Sequence, residues 1–82
     1  MQPDEIQALI EAGFADPMVR VMSDDNTHFE AVIVASEFDG VRPLARHQLV
    51  YKTLGTLVGN EIHALSIRAF TPAEWAEQSQ TA

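Results

Sequence analysis

The stretch His-Phe-Glu-Ala-Val-Ile-Val-Ala, residues 28–35, decides the fold. It is almost entirely apolar after Glu30 and rich in strand-forming residues, which is typical of a central strand buried on both faces. We therefore predict a strand over residues 28–36. A polar cluster at 23–27 is typical of a turn, and residues 18–22 before it favour a second strand. Together these segments predict a β-hairpin.

The spacing of apolar residues predicts two helices and a third strand. Apolar residues recur at helical spacing in residues 3–14 and in residues 43–58, and each of these segments is predicted to be a helix. The apolar stripe of the second helix consists of Val50, Leu54, Leu57 and Val58. In residues 61–70 successive side chains are predicted to point to alternate faces of a strand, which places His63 on the same side as Leu65 and Ile67.

The end of the chain carries a helix-start signal. Thr71-Pro72-Ala73-Glu74 is a capping box with proline at the first helical position, and Phe70 and Trp75 are placed as a hydrophobic staple. This pattern predicts a helix from residue 72 to about residue 78. We expect residues 78–82 to fray.

The element order is therefore α-β-β-α-β-α over residues 1–82, which we interpret as one domain. Residues 37–60 are numerous enough for a right-handed crossover, so the second and third strands are predicted to be parallel. The expected fold class is α+β, a three-stranded mixed sheet with helices packed on it.

Charge and cysteine content exclude several function classes. The chain has 12 acidic and 5 basic residues, a net charge of −7, and no cysteine. Disulfides, thiolate catalysis and a self-contained sulfur-ligated metal site are excluded. The acidic balance opposes non-specific binding to nucleic acid, which depends on Lys and Arg neutralising phosphates.

The sequence contains neither a membrane-span pattern nor a recognisable catalytic motif. No apolar run approaches the roughly 20 residues of a membrane span, and the first residues lack a signal-peptide pattern. We expect a cytoplasmic protein that does not bind membranes. The sequence contains no nucleophile elbow, no glycine-rich phosphate loop and no carboxylate pair marked as acid and base. We expect the chain not to be an enzyme.

The three histidines are the candidates for chemistry. His28 and His63 each begin a predicted strand, and parallel strands bring both starts to one end of the sheet. Two imidazoles make at most half of a tetrahedral metal site, so an iron–sulfur cluster here needs thiolates from a partner. The alternatives are that His28 is a partly exposed polar residue, that His47 is structural and that His63 is hydrogen-bonded at the edge of the core. Asp24 and Asp25 are expected to form a solvated turn.

The region 41–60 contains three basic residues and no acidic residue. Arg42, Arg46 and Lys52 could contact phosphates from one helix. The alternative is a helix surface that balances an acidic protein. Arg46 and Lys52 lie off the apolar stripe, so both are expected to face solvent.

Five short motifs occur together in a fixed order, and in this combination the sequence resembles the BolA family, most closely its IbaG (YrbA) branch. The motifs are Phe38-x-Gly40, Arg46-His47, Val50-Tyr51, Ile62-His63-Ala64-Leu65-Ser66-Ile67 and Thr71-Pro72-x-Glu74-Trp75. The resemblance implies a KH-like (class II) fold without the Gly-x-x-Gly loop of nucleic-acid-binding KH domains.

The resemblance also implies a partner and a cofactor. BolA-like proteins pair with monothiol CGFS glutaredoxins, and the two proteins share a [2Fe–2S] cluster with a glutathione thiol. The histidine of the family motif is a cluster ligand and falls on His63; a second ligand comes from the loop between the first two strands and falls on His28. The implied roles are cluster trafficking, iron homeostasis and the response to acid or other stress. We expect the isolated chain to bind no cofactor and to be a monomer or a weak homodimer.

A second implied role is transcription regulation. Some family members are described as DNA-binding regulators of stress and cell morphology, and the residues concerned here are Arg42, Arg46 and Lys52. Gln48 stands where many relatives carry a basic residue, which weakens this role.

Overall fold

A computed structural model describes residues 1–80, with side chains through residue 78. The regular elements are α1 (Pro3–Glu11), β1 (Met18–Met22), β2 (His28–Val34), α2 (Pro43–Leu54), β3 (Ala64–Phe70) and α3 (Pro72–Gln80), with single 3₁₀ turns at Ser36–Phe38 and Gly55–Leu57. The predicted element order and α+β class are confirmed.

The three strands form one mixed sheet in the order β1-β2-β3. β1 pairs antiparallel with β2, as the predicted hairpin requires, and β2 pairs parallel with β3. The parallel pairing confirms the prediction made from the length of the crossover. α2 lies within that crossover and returns the chain to the end of the sheet where β2 begins.

The core lies between one face of the sheet and the helices α1 and α2. Ile6 and Ile10 of α1 and Val50 and Leu54 of α2 are buried. They pack in one cluster with the alternate strand residues Val19, Val21, Phe29, Ala31 and Ile33. Burial of these side chains is the main term that stabilises the fold.

The opposite face of the sheet is only partly covered, so the prediction that the second strand is buried on both faces is wrong for its first half. His28 and Glu30 are exposed, whereas Val34 at the far end is buried. The difference arises because both long helices pack on the other face. Trp75 of α3 lines a cavity on this face with Met18, Arg20, Met22 and Val32.

Two helices end earlier than predicted. α1 ends at Glu11 rather than at residue 14, and Gly13 follows where the side chain of Thr53 leaves no room for a Cβ. α2 ends at Leu54 rather than at residue 58, because Gly55 has a φ of 57° that L-residues rarely adopt. Val58 is consequently exposed instead of continuing the apolar stripe.

The other boundary differences are small. β2 ends at Val34 and not at residue 36, because the chain turns into the 3₁₀ segment Ser36–Phe38. β3 begins at Ala64 and not at residue 61. α3 extends to Gln80, past the predicted end at about residue 78; the fraying expected for residues 78–82 stays a prediction, and residues 81 and 82 lie outside the described residues.

Across residues 1–80, every helix is too short or too polar to cross a membrane.

Candidate metal centre

The starts of two neighbouring strands place His28 and His63 at the same end of the sheet. His28 pairs with Ala64 in the register of β2 and β3, and His63 is the residue before Ala64. Strand spacing and rise place the two Cα atoms roughly 6 Å apart. The prediction that both histidines lie at one end of the sheet is confirmed. We call this pair the histidine rim.

His63 is held by its backbone neighbours and not by its side chain. Ile62 is buried, its N–H donates to the Leu57 carbonyl at 2.9 Å, and its carbonyl accepts from the Gly59 N–H at 2.7 Å. The His63 side chain is exposed and makes no hydrogen bond to any residue that the structure describes. The alternative of a hydrogen-bonded histidine at the edge of the core is therefore wrong. Its imidazole is free to bind an external group.

His28 is also exposed, but its ring has a partner. The side chain is 74% exposed, and Nδ1 lies 2.9 Å from Oδ2 of Asp25. The backbone of the same turn is ordered by Ser23, whose Oγ donates to the His28 carbonyl at 2.6 Å and accepts from the Asn26 N–H at 2.9 Å. The loop of residues 23–27 therefore fixes the position of His28 without burying it.

Asp25 is the residue of this site that sequence reasoning missed. Its Oδ1 accepts the backbone N–H groups of Thr27 and His28, both at 2.9 Å. The backbone N–H of His28, the imidazole of His28 and the N–H of Thr27 hold the pKa of Asp25 well below its usual range. The available signal was an aspartate that precedes a strand-initial histidine by three residues within a hairpin loop, a spacing typical of local side-chain-to-backbone bonding.

His47 does not join the rim. It lies in α2 directly after Arg46, whose guanidinium contacts the carbonyl of Ala69 and the carboxylate of Glu74. Both partners belong to the opposite end of the sheet, where β3 ends. His47 is partly buried, which favours its interpretation as a structural residue.

Arg46 is engaged internally, so the expectation that it faces solvent is wrong. Its side chain is 11% exposed, and Nε donates to the Val41 carbonyl at 2.7 Å. Nη1 donates to the Ala69 carbonyl at 3.1 Å and to Glu74 Oε1 at 2.7 Å. A guanidinium with these partners has little capacity left for phosphates. Arg42 and Lys52 are exposed, as a phosphate-binding role requires.

Among the residues that the structure describes, no three His, Asp or Glu side chains come together in a way that could hold a metal ion. The histidine rim thus supplies two nitrogen donors, and any further ligands have to come from another molecule. Neutral imidazole is a suitable ligand for iron.

These features define the class of protein: a small α+β chain with a mixed sheet, a helical crossover and exposed histidines where the two parallel strands begin. The family model described as BolA-like protein matches residues 12–74. The chain belongs to the BolA family, as its five sequence motifs indicated.

Individual relatives agree with this assignment. The acid stress protein IbaG of Escherichia coli is 40% identical over 93% of this chain and 90% of its own length. The DNA-binding transcriptional regulator BolA of Vibrio cholerae is 37% identical over 96% of this chain and 71% of its own length. Human BolA-like protein 1 is 50% identical over 66% of this chain. The chain spans 39% of the length of that human protein.

The fold of this chain also matches that of solved BolA-like proteins. A solved structure of a BolA protein homologue from Coxiella burnetii superimposes with a TM-score of 0.78 at 40% identity, covering 93% of this chain and 97% of the other. The predicted similarity to the IbaG branch and the predicted BolA fold are confirmed.

Proposed function

We propose that this chain is an iron–sulfur partner protein that forms a heterocomplex with a monothiol CGFS glutaredoxin. In this complex His63 and His28 ligate a bridging [2Fe–2S] cluster, together with the glutaredoxin cysteine and a glutathione thiol. The complex serves cluster trafficking, iron homeostasis and the response to acid or other stress. The isolated chain carries no cluster in this proposal.

The observation that carries the proposal is the histidine rim. Two exposed histidines lie at the end of the sheet where the neighbouring strands β2 and β3 begin, and within the described part of the chain no group of three His, Asp or Glu side chains could hold a metal ion. A protein with this half-site needs a partner that supplies the remaining ligands.

The donor set fits the cluster. Two imidazoles and two thiolates give each iron of a [2Fe–2S] cluster two terminal ligands, and mixed His/Cys ligation of such clusters is well established. This chain has no cysteine, so the thiolates belong to the partner and to glutathione. Histidine ligation raises the reduction potential of the cluster relative to all-cysteine ligation.

Reconstitution tests the proposal directly. The apo-chain is mixed anaerobically with a monothiol CGFS glutaredoxin, glutathione, iron and sulfide, and visible absorption and circular dichroism are recorded. We expect a spectrum distinct from that of the glutaredoxin homodimer, and we expect His63→Ala to lose it. His47→Ala is the matched control, because it removes an imidazole outside the rim, and it should retain the spectrum.

A ligand exchange makes this test sharper. His63→Cys should still form the heterocomplex but lower its reduction potential by on the order of 100 mV or more, since a thiolate replaces a neutral imidazole. The proposal is wrong if the wild-type mixture gives only the homodimer spectrum, or if His63→Ala leaves the heterocomplex spectrum unchanged.

A second candidate function is DNA binding. Arg42 and Lys52 are exposed and form no salt bridge with any residue that the structure describes, and the V. cholerae relative is named a DNA-binding regulator. If both residues contact phosphates, the plot of log affinity against log salt should become less steep in the double variant Arg42→Ala/Lys52→Ala, with the magnitude of its negative slope smaller by roughly 2. Absence of salt-dependent binding near physiological ionic strength excludes this candidate.

A further inference from the structure

The carboxylate of Asp25 uses its two oxygens for different purposes. Oδ1 accepts two backbone N–H groups, those of Thr27 and His28, and so holds the loop together. Oδ2 faces Nδ1 of the His28 ring at 2.9 Å. The side chain therefore couples the conformation of the loop to the orientation of one imidazole.

This contact distinguishes the two ring nitrogens of His28. An ionised carboxylate can only accept hydrogen bonds, so a neutral imidazole beside it carries its proton on Nδ1. Nε2 then holds the lone pair. Because the His28 side chain is 74% exposed, this lone pair is accessible from outside.

We propose that Asp25 is a positioning residue that holds His28 in the Nδ1–H tautomer and thereby presents Nε2 as its ligating atom. Metal-bound histidines almost always donate their second ring N–H to a carboxylate, a carbonyl or water, and the Asp25–His28 pair has this arrangement before any metal is present. The part of this inference that concerns ligation rests on the proposed function. The part that concerns the tautomer does not.

The two rim histidines differ in this respect. His63 has no hydrogen-bonding partner in the described part of the chain, so its ring can turn and either nitrogen can bind. His28 is oriented in advance, which reduces the conformational entropy lost when it binds.

Asp25→Asn is the informative variant. Asparagine keeps Oδ1 as the acceptor for the two backbone N–H groups, so the loop is retained. It replaces Oδ2 by an NH₂ donor, which now requires a lone pair on Nδ1 and favours the Nε2–H tautomer. Asp24→Asn is the matched control, because it removes the same charge from the adjacent position.

The tautomers are measured on the apo-protein by long-range ¹H–¹⁵N correlation NMR, at a pH at which imidazoles are neutral. We expect His28 to be mainly Nδ1–H in the wild type and in Asp24→Asn. In Asp25→Asn the ratio of Nδ1–H to Nε2–H should fall by roughly fivefold, as loss of one hydrogen bond would give. A wild-type His28 that is mainly Nε2–H, or a ratio unchanged by Asp25→Asn, overturns the proposal.

The second arm uses the complex reconstituted with a CGFS glutaredoxin. Asp25→Asn should weaken formation of the heterocomplex by roughly tenfold or more relative to Asp24→Asn, because loss of such a carboxylate partner typically has this effect. A changed tautomer with an unchanged heterocomplex overturns the ligating role. If wild-type protein forms no heterocomplex, the proposed function fails, while the tautomer result still decides whether Asp25 positions His28.

Discussion

The two ends of the sheet carry polar residues of opposite character. At the end where β3 finishes, Arg46, Glu74 and Thr71 bond to one another and to the backbone; we call this group the arginine junction. At the other end, the histidine rim is exposed, and His63 lacks any hydrogen bond within the described residues. Arg46 and His63 both belong to the family motifs. Shared motif membership therefore marks residues that stabilise the fold as well as residues that are available to a partner.

The strongest test of this difference is Arg46→Ala. The variant leaves the carbonyls of Val41 and Ala69 and the carboxylate of Glu74 without their donor. Lost hydrogen bonds to a charged group cost about 2–3 kcal/mol, and we expect that decrease in the free energy of unfolding. Urea denaturation measures it. Lys52→Ala, an exposed cation of the same helix, should change stability by less than about 0.5 kcal/mol. Equal effects of the two variants would show that the arginine junction is not structural.

Thr71→Ala tests the capping box within the same junction. The Thr71 hydroxyl accepts the Glu74 N–H at 3.1 Å, and Glu74 Oε1 accepts the Thr71 N–H at 2.8 Å. Removing a threonine cap costs about 1 kcal/mol. Thr71→Ser keeps the hydroxyl and should retain most of this energy. A serine variant as unstable as the alanine variant would assign the effect to packing of the buried methyl group instead.

The same contacts make the junction sensitive to acid. The guanidinium of Arg46 and the backbone N–H of Thr71 lower the pKa of Glu74 from 4.5 to about 2. Because the pKa is lower in the folded state, the stabilisation is present above pH 4.5 and is lost as the pH falls towards 2. Glu74→Gln keeps an oxygen for the capping box but has no charge to titrate.

We therefore expect the stability difference between wild type and Glu74→Gln to shrink between pH 6 and pH 3 in urea denaturation. Glu77→Gln removes the same charge from the same helix and is the control. A difference that stays constant over this range would contradict the assignment of the pKa shift to the junction.

The sequence was sufficient for the architecture but not for the junction. The strand pattern of residues 28–35 and the length of the crossover predicted the mixed sheet, and the capping box marked the start of α3 correctly. Helical periodicity placed Arg46 on the solvent side, because it cannot show that a carbonyl 23 residues away lies within reach of the guanidinium. Tertiary contacts of this kind override the local pattern.

The histidine rim, unlike the arginine junction, could be predicted from the sequence. Its two histidines begin neighbouring parallel strands, and the register of such strands follows from topology. Asp25 was missed because acidic turns are usually solvated, and only the loop geometry shows its carboxylate on the His28 ring. Backbone topology therefore brought the rim histidines together in the prediction, while the contacts that orient them required coordinates.

The smallest expected effect on stability belongs to the rim itself. His63→Ala removes an exposed side chain with no hydrogen bond to the described residues, and His28→Ala removes one exposed hydrogen bond, that between the His28 ring and Asp25. Each variant should change the free energy of unfolding by less than about 0.5 kcal/mol, because exposed pairs and exposed side chains contribute little. Urea denaturation of both variants beside Arg46→Ala measures this difference.

A loss above 1 kcal/mol for His63→Ala would mean that the histidine rim stabilises the fold. Any loss of cluster binding in that variant would then follow from misfolding and not from a missing ligand. A small effect makes the reconstitution experiment specific, since a folded chain that lacks only one imidazole isolates what that imidazole does.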